Sequence, residues 1–570
     1  MPIARSITPW ALLLTLVTLS PFVGGCSLES VDKRIDRLVE ARSQQLGTGA
    51  APRVRTSQDT AAIGDDAYAE EPFTINPTAE ELPFAPLPDD RDVLTRIEGF
   101  YQPDRPAQMV TLEDALRIAQ TTSREYIAAE EDYILSAISL LIQRHLWSPR
   151  FFNDISLNVA GDLNDGDDQA ALNVVNELRV TQLLPYGGNV EARLVSQASR
   201  QLLNVVGDQT DASTQLILNA DIPLLRNAGP IAREDIIQAE RNLVYAARNF
   251  ERFRRSLFVS IANEYFSLVA QQQALRNQEA RLFGVERLQD ETAAQVDAGR
   301  RNPFEARNVE QNVLRSISTL SNARESFQLA KDRFKVRLGI SIDQPIEIES
   351  AILSLSDPDV GVSEAAELAL TYRLDYQNAV DQINDARRDV ANARNQLLPD
   401  LDFDAQLGIG TDDSDNALPA FDIDDSDYRF GVTFGLPLDR EIERLNLRST
   451  LIGLEQEVRE LSVFRDNIIL DARAAVREIE RARLSLNLEQ AAVVQNELRV
   501  ESLELRREEV SAQEILDAQD ELLASRNAVD DSIRDLRSSI LEFLLVTGQL
   551  RVDVTGRFMP LRGMPDPAGP

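Results

Sequence analysis

Six stretches of the chain alternate apolar and polar residues with a period of two, which predicts strands with one apolar face. In residues 400–410 the apolar side carries Leu401, Phe403 and Leu407, while Asp and Gln occupy the intervening positions up to residue 406. The six stretches are residues 154–160, 177–184, 189–197, 214–222, 400–410 and 427–436. Strands of about 10 residues with this alternation are typical of a transmembrane barrel around an aqueous lumen. A soluble sandwich, the alternative, would need more strands.

Apolar residues recur at spacings of three and four elsewhere, which predicts amphipathic helices. Two predicted helices, residues 231–298 and 440–507, each hold 68 residues without an internal proline. At 1.5 Å per residue, each is a rod of roughly 100 Å. Shorter helices are predicted at residues 111–147, 303–338, 362–397 and 511–547. A tube or coiled-coil stalk needs helices of this length, whereas a globular core does not.

The chain repeats itself, and this repeat predicts the fold. Residues 111–152 align without a gap on residues 361–402, so that Tyr126 and Pro149 fall on Tyr376 and Pro399. The offset changes from 250 residues there to 214 at Pro223 and Pro437, so the first half holds about 36 additional residues. These additional residues amount to one hairpin, which predicts six strands per protomer, four of them in the first half. The alternative is a two-stranded plan with a large external loop.

The N-terminus predicts a secreted, lipid-anchored protein. Arg5 precedes an apolar stretch from residue 9 to 23, and Gly24, Gly25 and the only cysteine, Cys26, follow it. This arrangement is that of a secretory signal, and residues 23–26 resemble the lipobox of bacterial lipoproteins. The resemblance implies that Cys26 becomes an acylated N-terminus, and Ser27 favours sorting to the outer membrane. The alternative is a plain signal peptide with an incidental cysteine.

Six segments follow from these patterns. They are a signal peptide (1–25), an acidic proline-containing tether (26–110) with a short helix near residues 29–45, a first repeat (111–340, strands about 153–222), a connection (341–361), a second repeat (362–552, strands about 400–437) and a tail (553–570). No apolar run of about 18 residues follows the signal, so we expect no transmembrane helix.

Composition narrows the function. The formal charge is −34, which argues against a nucleic-acid partner, since phosphate binding needs clustered basic residues. One cysteine and one histidine leave little room for metal clusters, Cys–His dyads or Ser–His triads. We therefore expect no metal, no cofactor and no enzymatic activity. Acidic pairs such as Asp412 and Asp413 are more simply solvated loop residues than a carboxylate site.

Residues 111–552 resemble the TolC-like outer-membrane efflux proteins. The resemblance lies in the duplicated order of helix, strands, long helix and short helix, and in three junction motifs. The motifs are Leu397-Leu398-Pro399-Asp400-Leu401, Leu436-Pro437-Leu438 and Ile222-Pro223-Leu224-Leu225. It implies a mainly α-helical homotrimer whose strands jointly close an outer-membrane β-barrel and whose helices form a periplasmic tube. It also implies a periplasmic adaptor and an inner-membrane transporter as partners, in efflux or type I secretion. Six strands per protomer would give about 18, against the 12 expected of the family.

The resemblance also implies a gate at the turn between the long and short helices. Residues 513–518 are similar to the family's tip segment, which assigns Glu514 and Asp517 to a constriction that favours cations. The alternative is that both acids simply suit a helix start. Gly299 keeps the family's tip glycine, but its counterpart is Glu508. Arg300 and Arg301 are candidate adaptor contacts, partners for acids or exposed residues.

Aromatic residues mark the predicted junction of helix and barrel. Trp147, Phe151 and Phe152 suggest a girdle at the membrane boundary, and His145 beside them is expected to pack at that interface. The main rival for the whole chain is a lipid-anchored structural coiled-coil protein of the cell envelope. The transported cargo is not encoded in these patterns.

Overall fold

A computed structural model of the chain describes residues 28–46, 106–162, 169–201, 210–350, 358, 360–411, 421–506 and 509–553. The helices are α1 (Leu28–Leu46), α2 (Leu112–Thr122), α3 (Arg124–Leu146), α4 (Glu234–Asp297), α5 (Pro303–Leu338), α6 (Val362–Tyr372), α7 (Leu374–Asn395), α8 (Glu441–Leu505) and α9 (Ala512–Val546). The strands are β1 (Gln108–Val110), β2 (Arg150–Asp162), β3 (Gln169–Leu183), β4 (Asn189–Gln201), β5 (Thr210–Pro223), β6 (Ile346–Ile348), β7 (Asp400–Thr411) and β8 (Phe421–Gly435). A short 3₁₀ turn at Gly229–Arg233 leads into α4. The short helix expected near residues 29–45 is α1.

Six strands form one open antiparallel sheet in the order β2-β3-β4-β5-β7-β8. The first repeat contributes four strands and the second contributes two, as predicted, and the alternative of two strands with a large loop is wrong. The strands are longer than predicted: β2 pairs with β3 from Arg150↔Thr181 to Asp162↔Gln169. Backbone pairing continues past the point where the apolar alternation fades, because the ladder depends on main-chain groups of both strands. In the described sheet, β2 and β8 each pair along one edge only.

The helices pack side by side against one another. The long helix α4 contacts α3, α5, α7 and α9, and the long helix α8 contacts α6, α7 and α9. Each long helix is therefore flanked by short helices placed end to end. Buried residues from both long helices, among them Phe258 and Ile468, belong to one continuous hydrophobic core.

The predicted helices at 111–147 and 362–397 are each broken into two, which corrects the prediction. Ser123 and Arg373 adopt extended conformations at the breaks (ψ 125° and 119°). A glycine of positive φ lies against each break: a Cβ on Gly339 would lie 2.0 Å from the Thr122 carbonyl oxygen, and one on Gly548 would lie 2.7 Å from the Tyr372 carbonyl carbon. The break thus admits the end of α5 or α9, which no periodicity in the broken segment itself reveals.

A second, two-stranded sheet was not predicted. β1 pairs in parallel with β6, from Gln108↔Ile346 to Val110↔Ile348, and so ties the end of the predicted tether to the connection between the repeats. The Tyr265 hydroxyl of α4 donates to the Glu349 carbonyl at 2.6 Å beside this sheet. Strands of three residues are too short to show an alternation.

Candidate functional site: the sheet faces and the helical tips

One face of the six-stranded sheet is apolar across all its strands. The register aligns Ile222 with Phe403 and Leu407 with Tyr428, so that the apolar positions of neighbouring strands fall side by side. Many of them are exposed in the single chain, and Leu157 (67%) and Phe430 (68%) are two examples. Soluble monomers rarely leave an apolar surface of this extent uncovered. The face therefore requires an apolar covering.

The opposite face of the same sheet is polar. Asp154 and Arg179 form an ion pair at 3.7 Å across β2 and β3, and Glu191 and Arg193 pair at 2.9 Å on β4. Thr433 donates to Asp404 at 3.3 Å across β7 and β8. Charged side chains such as these are costly to bury in an apolar environment, so this face needs contact with water. The sheet thus separates an apolar side from a hydrated side.

The aromatic girdle predicted at the junction is wrong for Phe152. Phe151 lies on the apolar face and is 71% exposed, whereas Phe152 lies on the polar face opposite Arg179. The guanidinium carbons of Arg150 and Arg179 lie 5.6 Å and 5.0 Å from the Phe152 ring centroid. Adjacent residues of a strand point to opposite faces, so Phe151 and Phe152 cannot both lie on the apolar face. Trp147 ends α3 and is half-buried.

His145 lies at the end of α3 and is exposed. Its Nδ1 atom lies 3.1 Å from the Ser148 hydroxyl, which also donates to the His145 carbonyl at 2.7 Å. These contacts join the last turn of the helix to the residues that lead into β2. In the single chain, His145 therefore contributes to the local structure at the end of α3.

The tip of the second repeat holds the two predicted gate residues on an exposed surface. Ser511 caps α9, and Glu514 closes a capping box in which its carboxylate accepts the Ser511 backbone N–H at 2.9 Å. Asp517 accepts a hydrogen bond from Gln513 at 2.7 Å. Glu514 therefore has the helix-start role of the alternative interpretation, which does not exclude a second role at a constriction.

The tip of the first repeat is a tight turn built on Gly299. Its φ of +69° ends α4, and the backbone N–H of Arg300 donates to the Gln295 carbonyl at 2.9 Å. This is the left-handed helix termination that favours glycine. Arg300 is exposed. Arg301 instead pairs with Glu305 at 2.8 Å and donates to the Val510 carbonyl at 3.0 Å, so it joins the two tips.

A polar seam that the sequence did not reveal joins the repeats between α4 and α7. The Tyr245 hydroxyl donates to Asp385 at 2.5 Å, Arg248 pairs with Asp381 at 2.7 Å, and Arg388 of α7 pairs with Glu234 of α4 at 3.0 Å. Burial, reinforced by the Asp385 carboxylate, raises the pKa of Tyr245 well above its ordinary value. These side chains fix the spacing of α4 and α7.

A buried arginine fastens the last described residues to the first repeat. Arg254 of α4 is 1% exposed and lies between the Glu251 carboxylate at 2.9 Å and the Val552 carbonyl at 2.9 Å. Arg255 donates to the Gly548 carbonyl at 3.1 Å. The end of the second repeat is thus held by charge-assisted hydrogen bonds from the first.

Among the described helices, none is long and apolar enough to cross a membrane. Across the same parts of the chain, no group of three or more His, Cys, Asp or Glu side chains has the geometry to hold a metal ion. Cys26 lies outside the described residues, as do the predicted signal peptide and most of the tether.

No sequence profile of a known protein family matches the chain, and no curated protein matches it by sequence. Solved structures do match. CusC, described in terms of transmembrane channel formation, has a TM-score of 0.59 at 14% identity, covering 77% of this chain and 92% of that one. The outer membrane protein VceC of Vibrio cholerae has a TM-score of 0.59 at 16% identity, covering 77% and 96%. The CmeC outer membrane channel of Campylobacter jejuni has a TM-score of 0.58 at 14% identity, covering 83% and 94%.

The chain therefore has the fold of the TolC-like outer-membrane efflux channels. The predicted resemblance to that family is confirmed at the level of the fold.

Proposed function

We propose that the protein is a subunit of a passive exit duct in a bacterial outer membrane, serving a tripartite efflux or type I secretion system. The observation that carries the proposal is the six-stranded sheet, apolar on one face and polar on the other, joined to helices of roughly 100 Å. Lipid covers the apolar face and the polar face lines a lumen. The chain performs no chemistry and provides a continuous aqueous path.

The duct is a homotrimer. In lipid every backbone polar group must be paired, so the free edges of β2 and β8 need another chain. Three copies of six strands give a barrel of 18, in which β2 of one copy pairs with β8 of the next. The helix α8 also leaves apolar residues exposed along its length, including Leu445 (62%) and Leu488 (61%). A neighbouring copy covers them in the tube.

Conductance in planar bilayers tests the duct. The purified protein is expected to give discrete single-channel openings, with the double variant Glu514→Gln, Asp517→Asn as a second sample in case the entrance of the native protein is closed. Trimers that carry no current in either form would contradict a duct. Protease protection of residues 400–436 in outer membranes distinguishes the duct from the structural coiled-coil alternative, in which those residues are cleaved.

Glu514 and Asp517 line the periplasmic entrance in this proposal. Both are exposed, they lie one turn apart at the start of α9, and three copies would bring six carboxylates around one axis. Glutamine at residue 514 retains the capping box, so Glu514→Gln removes the charge without removing the cap. The double variant is expected to shift the reversal potential in a salt gradient toward lower cation preference. An unchanged potential would remove both residues from the entrance.

Gly299 and Arg300 form the contact with the periplasmic adaptor, and Arg301 supports it from within the tip. Arg300 is exposed, whereas Arg301 is engaged by Glu305 and Val510. Arg300→Glu is therefore expected to weaken adaptor binding without changing thermal stability, and Arg301→Glu to lower stability. Equal adaptor binding by wild type and Arg300→Glu would exclude this contact.

Cys26 anchors the duct in the outer-membrane lipid. The N-terminal pattern supports this, and α1 begins two residues later at Leu28. Mass spectrometry of the mature protein is expected to show an acylated N-terminal Cys26. A mature chain that begins elsewhere, or an unmodified Cys26, would leave the plain signal peptide as the correct interpretation.

A further inference from the structure

A cavity of about 760 Å³ lies where α3 begins, between α4 and α5. Its walls include Ser123 and Arg124 from the start of α3, Glu264 and Leu268 from α4, and Arg333 from α5. This volume is in the range of small-molecule sites. The cavity belongs to the first repeat, beside the helix break at Ser123.

The buried hydroxyl of Ser123 has no hydrogen-bond partner. Ser123 is 0% exposed, and it does not cap α3. A buried unpaired hydroxyl costs about 1–3 kcal/mol, and native structures contain few of them. It lines the cavity at the N-terminus of a 23-residue helix, where backbone N–H groups favour an anion.

The second repeat handles the equivalent position differently. Arg373 occupies the break there, pairs with Asp375 at 2.8 Å and with Asp471 at 3.4 Å, and lies over the Phe464 ring. At this break, the polar side chain is therefore paired by other residues of the same chain. In the first repeat the smaller Ser123 makes no such contacts, and its hydroxyl has no hydrogen-bond partner.

The charges around the cavity favour an anion. Within the described part of the chain, Arg124 and Arg333 have no ion-pair partner. Arg337 is already engaged, 3.3 Å from Glu264 and 3.9 Å from Glu125. Burial raises the pKa of Glu264, and the Arg337 guanidinium opposes that rise. Three arginines and two glutamates line the cavity, so one positive charge is in excess.

The same cavity has an apolar wall. Leu268 and Phe334 are buried behind it, and Leu329 (47%) and Val336 (54%) stand exposed at its edge. An ion alone would leave this wall uncovered. A ligand that matches both parts has an anionic head and a short apolar body.

The cavity opens on the side of the helices away from the small β1–β6 sheet. Tyr265 of α4 points at that sheet, and Ser267 and Gln271 of the cavity wall are turned roughly 200–240° from it at about 100° per residue. If the duct has the small sheet on its outer surface, the cavity faces the lumen. That orientation rests on the proposed function, whereas binding itself does not.

We infer that this cavity is a binding site for small amphipathic organic anions. The anionic head lies at the start of α3, beside Ser123 and between the guanidinium groups of Arg124 and Arg333. The apolar body lies against Leu329 and Val336. The site would hold such a solute for a time within the path that the duct provides.

Calorimetric titration of the full-length trimer in nanodiscs tests the inference. Octanoate is the probe, octylammonium is the same body with the opposite charge, and empty nanodiscs measure partition into lipid. Saturable binding of one octanoate per chain is expected, with no saturable binding of octylammonium. Absent saturable binding, or equal binding of the two probes, would overturn the inference.

Two variants locate the site. Arg124→Gln with Arg333→Gln is expected to weaken octanoate binding at least about tenfold, because two charge-assisted contacts are lost. Arg307→Gln, on the exposed start of α5, is the matched control and keeps wild-type affinity. Unchanged affinity in the double variant would overturn the assignment. Conductance of the same samples separates the two claims: binding without channels would contradict the duct alone, and channels without binding would contradict this site alone.

Discussion

In the first repeat the helix break lies at Ser123, and in the second it lies at Arg373. The backbone is nearly the same at both, with ψ of 125° and 119°, and a left-handed glycine of the following short helix packs against each. The side chains are opposites: Ser123 is buried without a partner, whereas Arg373 is paired with two carboxylates. Duplication has kept the backbone joint, and the contacts around it have diverged.

The long helices differ in the same way. α4 buries the charged residues Glu251 and Arg254, whereas α8, which is described throughout, buries only Ile and Ala side chains. The first repeat therefore carries the polar connections to the rest of the chain, and the second repeat supplies the partners. The two repeats are therefore alike in the order of their elements and unlike in the contacts that stabilise them.

The largest effect is expected at the buried ion pair of α4. Arg254→Met leaves Glu251 buried beside Arg255 alone and frees the carbonyls near the end of the second repeat, at a cost of about 3–5 kcal/mol. Arg252→Met is the control, since Arg252 is 57% exposed with Asp375 3.4 Å away, and about 1 kcal/mol or less is expected. Denaturant midpoints measure both. Equal losses of stability in the two variants would show that burial of the Arg254–Glu251 ion pair does not increase its contribution.

The glycines at the breaks rank next. Gly339→Ala combines a positive φ with a Cβ 2.0 Å from a backbone oxygen, so about 2–3 kcal/mol or more is expected. Gly299→Ala has a similar φ with nothing within 4 Å of the added Cβ, so about 1 kcal/mol is expected. Thermal unfolding of the pair measures the difference. If Gly299→Ala cost as much as Gly339→Ala, the close approach of the helix end would not be the reason for glycine.

Substitutions at the two break residues are expected to differ in sign. Arg373→Gln removes charge-assisted bonds to Asp375 and Asp471, at about 1–3 kcal/mol. Ser123→Ala removes a hydroxyl without a partner and is expected to be neutral or slightly stabilising. Both are measured as shifts of the unfolding midpoint. A loss at Ser123 as large as that at Arg373 would mean that the two joints are held alike.

The smallest effect concerns pH. Burial raises the pKa of Glu264 above its ordinary value of 4.5, so the folded chain holds this proton more tightly than the unfolded chain. Its contribution to stability therefore falls as pH rises from about 4.5 through the raised pKa. Glu264→Gln is expected to flatten the decline in melting temperature as the pH rises above about 4.5. Glu131→Gln, on the exposed side of α3, is the control. Identical pH profiles for wild type and Glu264→Gln would contradict this.

The sheet and the long helices could be predicted because their patterns are long and local. Alternation along residues 400–410 specifies which side chains share a face, and the repeat specifies how many strands each half holds. The breaks at Ser123 and Arg373 could not be predicted, because they are imposed by Gly339 and Gly548 more than 170 residues away in sequence.

The candidate site was predicted unevenly for the same reason. Glu514 and Asp517 follow a tip motif, and the structure puts both on an exposed helix start, where their part in a gate stays a prediction. The prediction for Phe152 is wrong because the alternation of the strand places this residue on the face opposite to Phe151. The polar seam includes the contact between Tyr245 and Asp385, which are 140 positions apart, so no local sequence pattern predicts it.

Electron cryomicroscopy of the intact assembly in outer-membrane lipid tests the central claim most directly. The account predicts a closed ring of 18 strands from three chains, with β2 of each chain paired to β8 of its neighbour and the apolar face toward lipid. A ring of 12 strands, or a single chain whose six-stranded sheet stays open, would contradict it.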